Sequence, residues 1–324
     1  MANSTFLFFK EQILNARKIL ILVHQDPDGD AVGSSLALKK IIENNWKKNC
    51  SVFFSGKINV NYKFKEDEMP ISKEDIKIKD FDLLIILDTN NLTRTGIENL
   101  KDRSANSKII IIDHHIKKGR DLSLPNTFYF INSKATATCE IILDMVKALN
   151  EKINSEIAFF LLLGIYTDSG AFFHSNTKAK LILKVRDLLS QGVIFKNIVN
   201  SGFKGKKVST LKLIGKKISE AKINTRLGFI YSHIKNEEMK KLNIPREEIG
   251  GLVNLLNMCQ ETKFSLLLIE QEDGRIKASL RSSADNFIDV NIISRFFGGG
   301  GHRLASGFET FGKIVENGEK IKIS

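Results

Sequence analysis

Three short runs, Lys18–Val23 (KILILV), Leu83–Leu87 (LLIIL) and Lys108–Ile112 (KIIII), constrain this 324-residue chain more than any other feature. Each is apolar and rich in branched residues from end to end, and none alternates with polar residues. A strand that is apolar at every position has both faces covered, as in a parallel sheet sandwiched by other elements. Ser51–Phe54 reads as a weaker fourth strand. Ala31–Asn44, with Val32, Leu36, Leu38, Ile41 and Ile42, reads as a helix between strands. Strands alternating with helices predict an α/β fold with a doubly wound, mostly parallel sheet. The charged stretch Asn59–Lys79 reads as a surface connection. From Thr138 to Ser190 the pattern is helical (Cys139–Leu149, Ser155–Tyr166, Thr177–Leu189). Gln191–Lys207, with Gly192, Gly202 and Gly205, reads as a linker. Beyond it lie a helical stretch (Val208–Glu220), strand-like runs (Gly228–Ser232, Phe264–Glu270, Arg275–Arg281) and helices near Glu247–Met258 and Ile288–Phe296. These predict a second, smaller α/β domain, so the expected division is 1–190, a linker 191–207, and 208–324.

The residues just past each strand carry the chemistry. Val23 is succeeded by His24, Asp28 and Asp30, Leu87 by Asp88, and Ile112 by Asp113, His114 and His115. Open α/β sheets bind ligands at the carboxyl ends of their strands. Carboxylates and neutral imidazoles are what a hard or borderline divalent cation takes. Pro27 and Gly29 suit a tight turn that gathers His24, Asp28 and Asp30 around one point. Gly33 and Ser34 then open a helix whose N-terminus favours an anion. Two further motifs complete the set: Thr167-Asp168-Ser169-Gly170, and Gly298-Gly299-Gly300-Gly301-His302.

Taken singly, each piece has an ordinary reading. Asp88 is as readily an N-cap as a ligand, His114 and His115 a solvated pair, the four glycines a flexible turn. Glycines next to His302 and Arg303, before a predicted helix, also suit an anion nest. The set is harder to dismiss, because four of the six histidines fall inside these motifs. His174 and His233 read as ordinary residues, and Arg94 either braces a loop or meets a phosphate.

Composition bounds the remaining choices. An apolar fraction of 42% fits a globular protein, and no apolar run approaches the roughly 20 residues of a membrane span. Met1–Lys10 lacks the pattern of a signal peptide, and Cys50, Cys139 and Cys259 are too scattered for a zinc site. The expectation is a cytoplasmic protein with buried thiols and no membrane partner. The net charge of +12 suits an anionic substrate, but only 11 of the 49 basic residues are arginine, so a lysine-rich compositional bias explains it equally well. No zinc finger, RNP-type aromatic motif or sustained basic helix is present, so duplex DNA is not expected as a partner.

Taken together, His24-Gln-Asp-Pro-Asp-Gly-Asp-Ala-Val-Gly-Ser34, Leu87-Asp88-Thr89 with Arg94 and Gly96, Ile112-Asp113-His114-His115, Gly164-Ile-Tyr-Thr-Asp168-Ser-Gly170 and Phe297-Gly-Gly-Gly-Gly-His302-Arg-Leu-Ala-Ser-Gly307 resemble the motifs of the DHH-family phosphoesterases. The similarity spans nearly the whole chain, includes the DHH-associated C-terminal domain, and points to the branch of nano-RNases, pAp phosphatases and cyclic-dinucleotide phosphodiesterases. Ser306 departs from the pattern, which usually has alanine there.

The resemblance implies two manganese ions, or other divalent metals, held by His24, Asp28, Asp30, Asp88, His114 and Asp168, with Asp88 bridging. His115 would stand behind the ligands or against the phosphate, and Asp113 would orient a ligating imidazole. Arg281, Ser282, Gly299, Gly300, Gly301 and His302 would hold the substrate from the second domain across a cleft. The expected activity is hydrolysis of short RNA, pApA or cyclic di-AMP to mononucleotides. The alternatives are pAp phosphatase activity and a non-catalytic nucleotide-binding regulator. The regulator would show a damaged ligand set, and all six residues are present. A second copy of the chain is a candidate partner.

Overall fold

In the computed structural model the chain divides into two compact units, Met1–Gly205 and Lys206–Ser324. The structure describes residues 2–58, 60–73, 76–104, 106–115, 126–174, 176–203, 207–249, 251–286, 288–317 and 320–323.

In the first unit the order is α1 (Ala2–Asn15), β1 (Ile19–Leu22), α2 (Gly29–Asn44), β2 (Cys50–Phe53), β3 (Leu83–Leu87), α3 (Leu100–Arg103), β4 (Lys108–Asp113), β5 (Thr127–Ile131), α4 (Thr138–Ala148), α5 (Ser155–Asp168), α6 (Ala179–Leu189) and α7 (Phe195–Phe203). The five strands form one parallel sheet in the order β2-β1-β3-β4-β5. The direction of winding reverses between β1 and β3, which opens a crevice at their carboxyl ends.

The continuous apolar runs divide by alternation. Ile19, Ile21, Val23, Leu83, Ile85, Leu87, Ile110 and Ile112 enter a large core with α1, α2, α4 and α5. Leu20, Leu22, Leu84, Ile86, Ile109 and Ile111 enter a smaller one. That smaller core is closed by Ile76, Ile78, Ile97 and Leu100 rather than by long helices. Asn59–Lys79 is therefore not a mere surface connection. Its Ile76 and Ile78 seal one sheet face, Tyr62 and Phe64 pack on the other core, and the fully buried Glu68 accepts from the Tyr62 hydroxyl at 2.8 Å. The wide spacing of these anchors among lysines and glutamates hides them from periodicity.

Helix α2 starts at Asp28, whose side chain accepts from the Asp30 and Ala31 N–H groups. It packs so tightly on α5 that a Cβ on Gly33 would stand 2.5 Å from the Phe160 carbonyl oxygen and 3.0 Å from the Gly164 nitrogen. The expected linker, Gln191–Lys207, is instead largely α7, which buries Ile198 in the main core; the break between units falls at its end. Its third glycine, Gly205, lies outside the described residues.

The second unit runs α8 (Val208–Ser219), β6 (Lys222–Asn224), β7 (Phe229–Ile234), α9 (Asn236–Leu242), α10 (Leu252–Leu256), β8 (Phe264–Glu270), β9 (Arg275–Ser282), α11 (Val290–Phe296), β10 (Gly300–His302), β11 (Ala305–Phe311), β12 (Ile314–Asn317) and β13 (Lys320–Ile323). Its six-stranded sheet has the order β10-β11-β9-β8-β7-β6, with only β7 and β8 parallel. No helix among the described residues is long and apolar enough to cross a membrane.

Candidate metal centre and active site

Asp88 stands where β3 ends, with its backbone in the left-handed region (φ 59°) and its N–H donating to the Ile112 carbonyl at 3.0 Å. A non-glycine residue there is uncommon, and aspartate is among the side chains that tolerate it. The effect is to turn a buried carboxylate across the sheet's carboxyl edge. One oxygen lies 3.4 Å from His24 Nε2, and the other lies 3.5 Å from His114 Nε2. His114 Nε2 is also 3.3 Å from Asp168 Oδ2, at the end of α5, and His24 Nε2 is 3.8 Å from Asp28 Oδ1.

These separations are long for strong N–H···O bonds. Three of the four match donors sharing a cation, since two ligand atoms about 2.1 Å from one ion lie roughly 3.0–3.5 Å apart at tetrahedral to octahedral angles; the His24–Asp28 pair is wider. Three groups have ligand atoms within 4.8 Å of one another: His24, Asp28 and Asp88; Asp30, His114 and Asp168; and Asp88, Asp113, His114 and His115. All six expected ligands converge, and Asp88 and His114 each belong to two groups. The donor set fits a divalent metal.

The electrostatics carry the same message. Burial disfavours a charged His24, but Asp28 and Asp88 outweigh it and raise its pKa from 6.5 to about 10. His114 is likewise raised to about 10, with burial opposing and Asp88, Asp168 and Asp30 prevailing. Asp30 is raised to about 7 by burial and then by the charge of Asp88, and burial lifts Asp168 well above the carboxylate range. Asp88 moves the other way: burial would raise it, and His114 and His24 together hold it low. Four aspartates crowded around two imidazoles are a field that demands positive charge.

Tautomers follow from the partners. His24 Nδ1 lies 2.8 Å from the Gln25 carbonyl, which makes Nδ1 the donor of the neutral ring and directs Nε2 to the cluster. Asp113, fully buried, was expected to orient a ligating imidazole. Instead it takes His115, with Oδ1 at 2.7 Å from Nδ1 and 3.1 Å from the backbone N–H. The two imidazoles of the motif differ in their main partners: His114 Nε2 lies between Asp88 and Asp168, whereas His115 Nδ1 bonds Asp113 and stands 3.6 Å from Asp88 Oδ1. Asn90, which no motif singles out, donates to the second Asp113 oxygen at 2.6 Å. Arg94 lies on a 3-10 turn, Leu92–Thr95, whose Arg94 carbonyl accepts from Gln25 N–H, and its side chain is exposed.

A further contributor left no sequence signal. Helix α4 has no side-chain cap of its own; its N-cap is Ala137. Asp30 from α2 supplies the acceptors, taking Thr138 N–H at 2.6 Å and Cys139 N–H at 3.0 Å. The orphan donors of a helix start thus hold a carboxylate in place. Thr138 Oγ1 donates to Asp88 Oδ1 at 3.2 Å.

In the second unit the register places His302 and Arg281 on either side of Ala305, on one sheet face, with Gly300, Gly307 and Ser279 beside them. Arg281 donates from Nη1 to the Leu280 carbonyl at 2.8 Å, while its buried Nε has no hydrogen-bond partner. Burial lowers its pKa. Ser282 does not join them: it is buried, and its hydroxyl donates to the Lys263 carbonyl. The glycine run does not precede a helix. It forms β10 of a hairpin, and a Cβ on Gly301 (φ 151°) would stand 2.5 Å from the Ala305 carbonyl oxygen; Gly299 is similarly crowded by β11. Ser306 ties α11 to β11 through Ser294 Oγ and the Val290 carbonyl, both at 2.7 Å.

Comparison with known proteins identifies the family. Residues 18–165 match the DHH family, N-terminal domain, and residues 227–320 match the DHHA1 domain. The chain is 30% identical over 309 residues to the bifunctional oligoribonuclease and PAP phosphatase NrnA of Mycoplasma genitalium, covering 94% of this chain and 90% of that one. It is 28% identical to the probable bifunctional oligoribonuclease and PAP phosphatase NrnA of Streptococcus mutans, covering 92% and 91%. The crystal structure of an exopolyphosphatase-related protein from Bacteroides fragilis superposes with a TM-score of 0.82 at 26% identity, covering 96% and 92%. Sequence motifs, sheet order and clustered ligands converge on one conclusion: this chain is a member of the DHH family of metal-dependent phosphoesterases, with a DHHA1 domain as its second unit.

Proposed function

We propose that the chain is a manganese-dependent phosphodiesterase that hydrolyses short oligoribonucleotides and dinucleotides to mononucleotides. The observation that carries this is the sharing of Asp88 and His114 between neighbouring ligand groups, the arrangement a pair of ions calls for. His24, Asp28 and Asp88 would hold one ion and Asp30, His114 and Asp168 the other, and Asp88 and His114 meet in a third group between them. When bound, such a pair lowers the pKa of an attacking water and offsets negative charge on the phosphate.

The protein's own residues do the rest. Asp113 accepts the Nδ1–H of His115 and, braced by Asn90, fixes the ring so that Nε2 exchanges a proton with the substrate. In the hydrolysis the water oxygen joins phosphorus and releases its proton to solvent, the bond to the leaving ribose oxygen breaks, and His115, carrying a proton on each ring nitrogen, gives the Nε2 proton to that oxygen and regains one from solvent. Arg281 and His302, over a floor of Gly300 and Ala305, bind a terminal phosphate, with Gly299 and Gly301 shaping the hairpin. Ser282 is a structural residue in this scheme.

A second activity on pAp fits the same groups, and the NrnA relatives carry both activities in their names. The test is a panel of pApA, a short RNA, cyclic di-AMP and pAp, with manganese or with EDTA, and chromatography of the products. Manganese-dependent release of AMP from pApA is expected. No mononucleotide from pApA or the short RNA refutes the proposal.

A further inference from the structure

Thr138 lies outside the five sequence motifs described above, yet it touches the centre of the site. It is fully buried at the start of α4. It stands one residue past the Ala137 N-cap, and both of its donors leave the helix: its backbone N–H goes to Asp30 Oδ2 at 2.6 Å and its hydroxyl to Asp88 Oδ1 at 3.2 Å. One residue therefore holds a carboxylate from α2 and another from the end of β3.

The geometry gives that hydroxyl a specific task. The two oxygens of Asp88 face different imidazoles, Oδ2 towards His24 and Oδ1 towards His114. Serving both needs one orientation of the carboxylate plane, and a terminal carboxylate torsion is broad and two-fold. A single directional donor on Oδ1 selects that orientation. Threonine suits the role because its branched Cβ restricts χ1. Its platform is fixed as well: Glu140 in α4 accepts the Thr136 N–H at 2.7 Å and the Lys184 ammonium at 2.7 Å.

We infer that Thr138 is a positioning residue, whose hydroxyl sets the plane of the Asp88 carboxylate so that each oxygen serves one of the two ion sites. The inference rests on the proposed metal-dependent activity. The test compares wild type with Thr138→Val, Thr138→Ala and Thr138→Ser, by calorimetric titration with manganese, by kcat and KM on pApA, and by Tm in EDTA. Valine keeps the shape and the backbone N–H but removes the donor. Manganese affinity should fall about 10–100-fold, as when partners behind a metal ligand are lost, and kcat should fall with it. KM should stay near wild type, and serine should restore most of both losses. The alanine variant gives the same reading if valine melts early. Wild-type affinity and turnover in Thr138→Val or Thr138→Ala, or a serine variant as impaired as valine, overturns the inference alone. A wild-type chain that binds no manganese removes the metal-site reading and this inference together.

Discussion

Replacing Asp88 by asparagine changes one charge and almost nothing else. Asparagine is nearly isosteric and tolerates the left-handed backbone that Asp88 occupies at φ 59°. Its carbonyl oxygen can still accept from Thr138 Oγ1. What disappears is a buried negative charge whose oxygens lie 3.4 and 3.5 Å from the Nε2 atoms of His24 and His114. At an effective dielectric constant of about 20, a unit charge pair at such distances interacts by roughly 5 kcal/mol. Relaxation and hydration reduce what is measured, and breaking one partner of a buried charged set typically costs about 3–5 kcal/mol. Expressed in manganese affinity, that is a loss of about 10²–10⁴-fold. Asp88 groups with His24 and Asp28 and also lies 3.5 Å from His114, which groups with Asp30 and Asp168, so both binding events should weaken. Calorimetric titration of metal-stripped protein reads the affinities, and pApA turnover at saturating manganese reads the catalytic share. An Asp88→Asn variant that binds two equivalents as tightly as wild type and turns over at its rate would refute the placement of Asp88 between the ions.

Other consequences are equally open to measurement. His24 and His114 have folded-state pKa values raised from 6.5 to about 10, so their contribution to metal-free stability is complete below pH 6.5 and lost as pH rises through 10. Asp30, raised from 3.8 to about 7, has the same sign in the window from 3.8 to 7. In EDTA, Tm should therefore fall as pH climbs, whereas the gain in Tm on adding manganese should grow, since the ion displaces those protons; a metal-induced gain that shrinks with pH contradicts this. Asn90→Ala removes the donor to one oxygen of the buried Asp113 and should cost about 1–3 kcal/mol in urea unfolding while lowering kcat. Gly33→Ala forces a methyl to 2.5 Å from the Phe160 carbonyl oxygen, so α2 and α5 must part at about 1–3 kcal/mol, and the manganese affinity of Asp30 and Asp168 should drop with the urea midpoint.

The parts of the site that depend on side-chain type were legible from the chain alone. A carboxylate or imidazole directly after an apolar strand has one place to go once the sheet is parallel, which is why Asp88 and His114 stand out in the sequence. The N–H groups of Thr138 and Cys139 do not, because every residue but proline has such a donor and only the crossing of α2 and α4 aims these two at Asp30. Asn90 escapes for a related reason: an asparagine after a strand is an ordinary turn residue until Asp113 is seen beside it. The division of labour within Asp113-His114-His115 also needed the fold, since both imidazoles lie near Asp88 and the order of the residues does not say which one Asp113 takes. In the second unit, four glycines signalled a loop, but the hairpin comes from the close approach of β11, a tertiary fact. Ile76 and Ile78 went unrecognised among charged neighbours because isolated anchors have no period.

Anomalous diffraction from crystals grown with manganese tests the central claim most directly. Two peaks about 3.5–4 Å apart are expected, one against His24 and Asp28, the other against Asp30, His114 and Asp168, with an Asp88 oxygen on each. A map with no anomalous density among these six side chains would contradict the account.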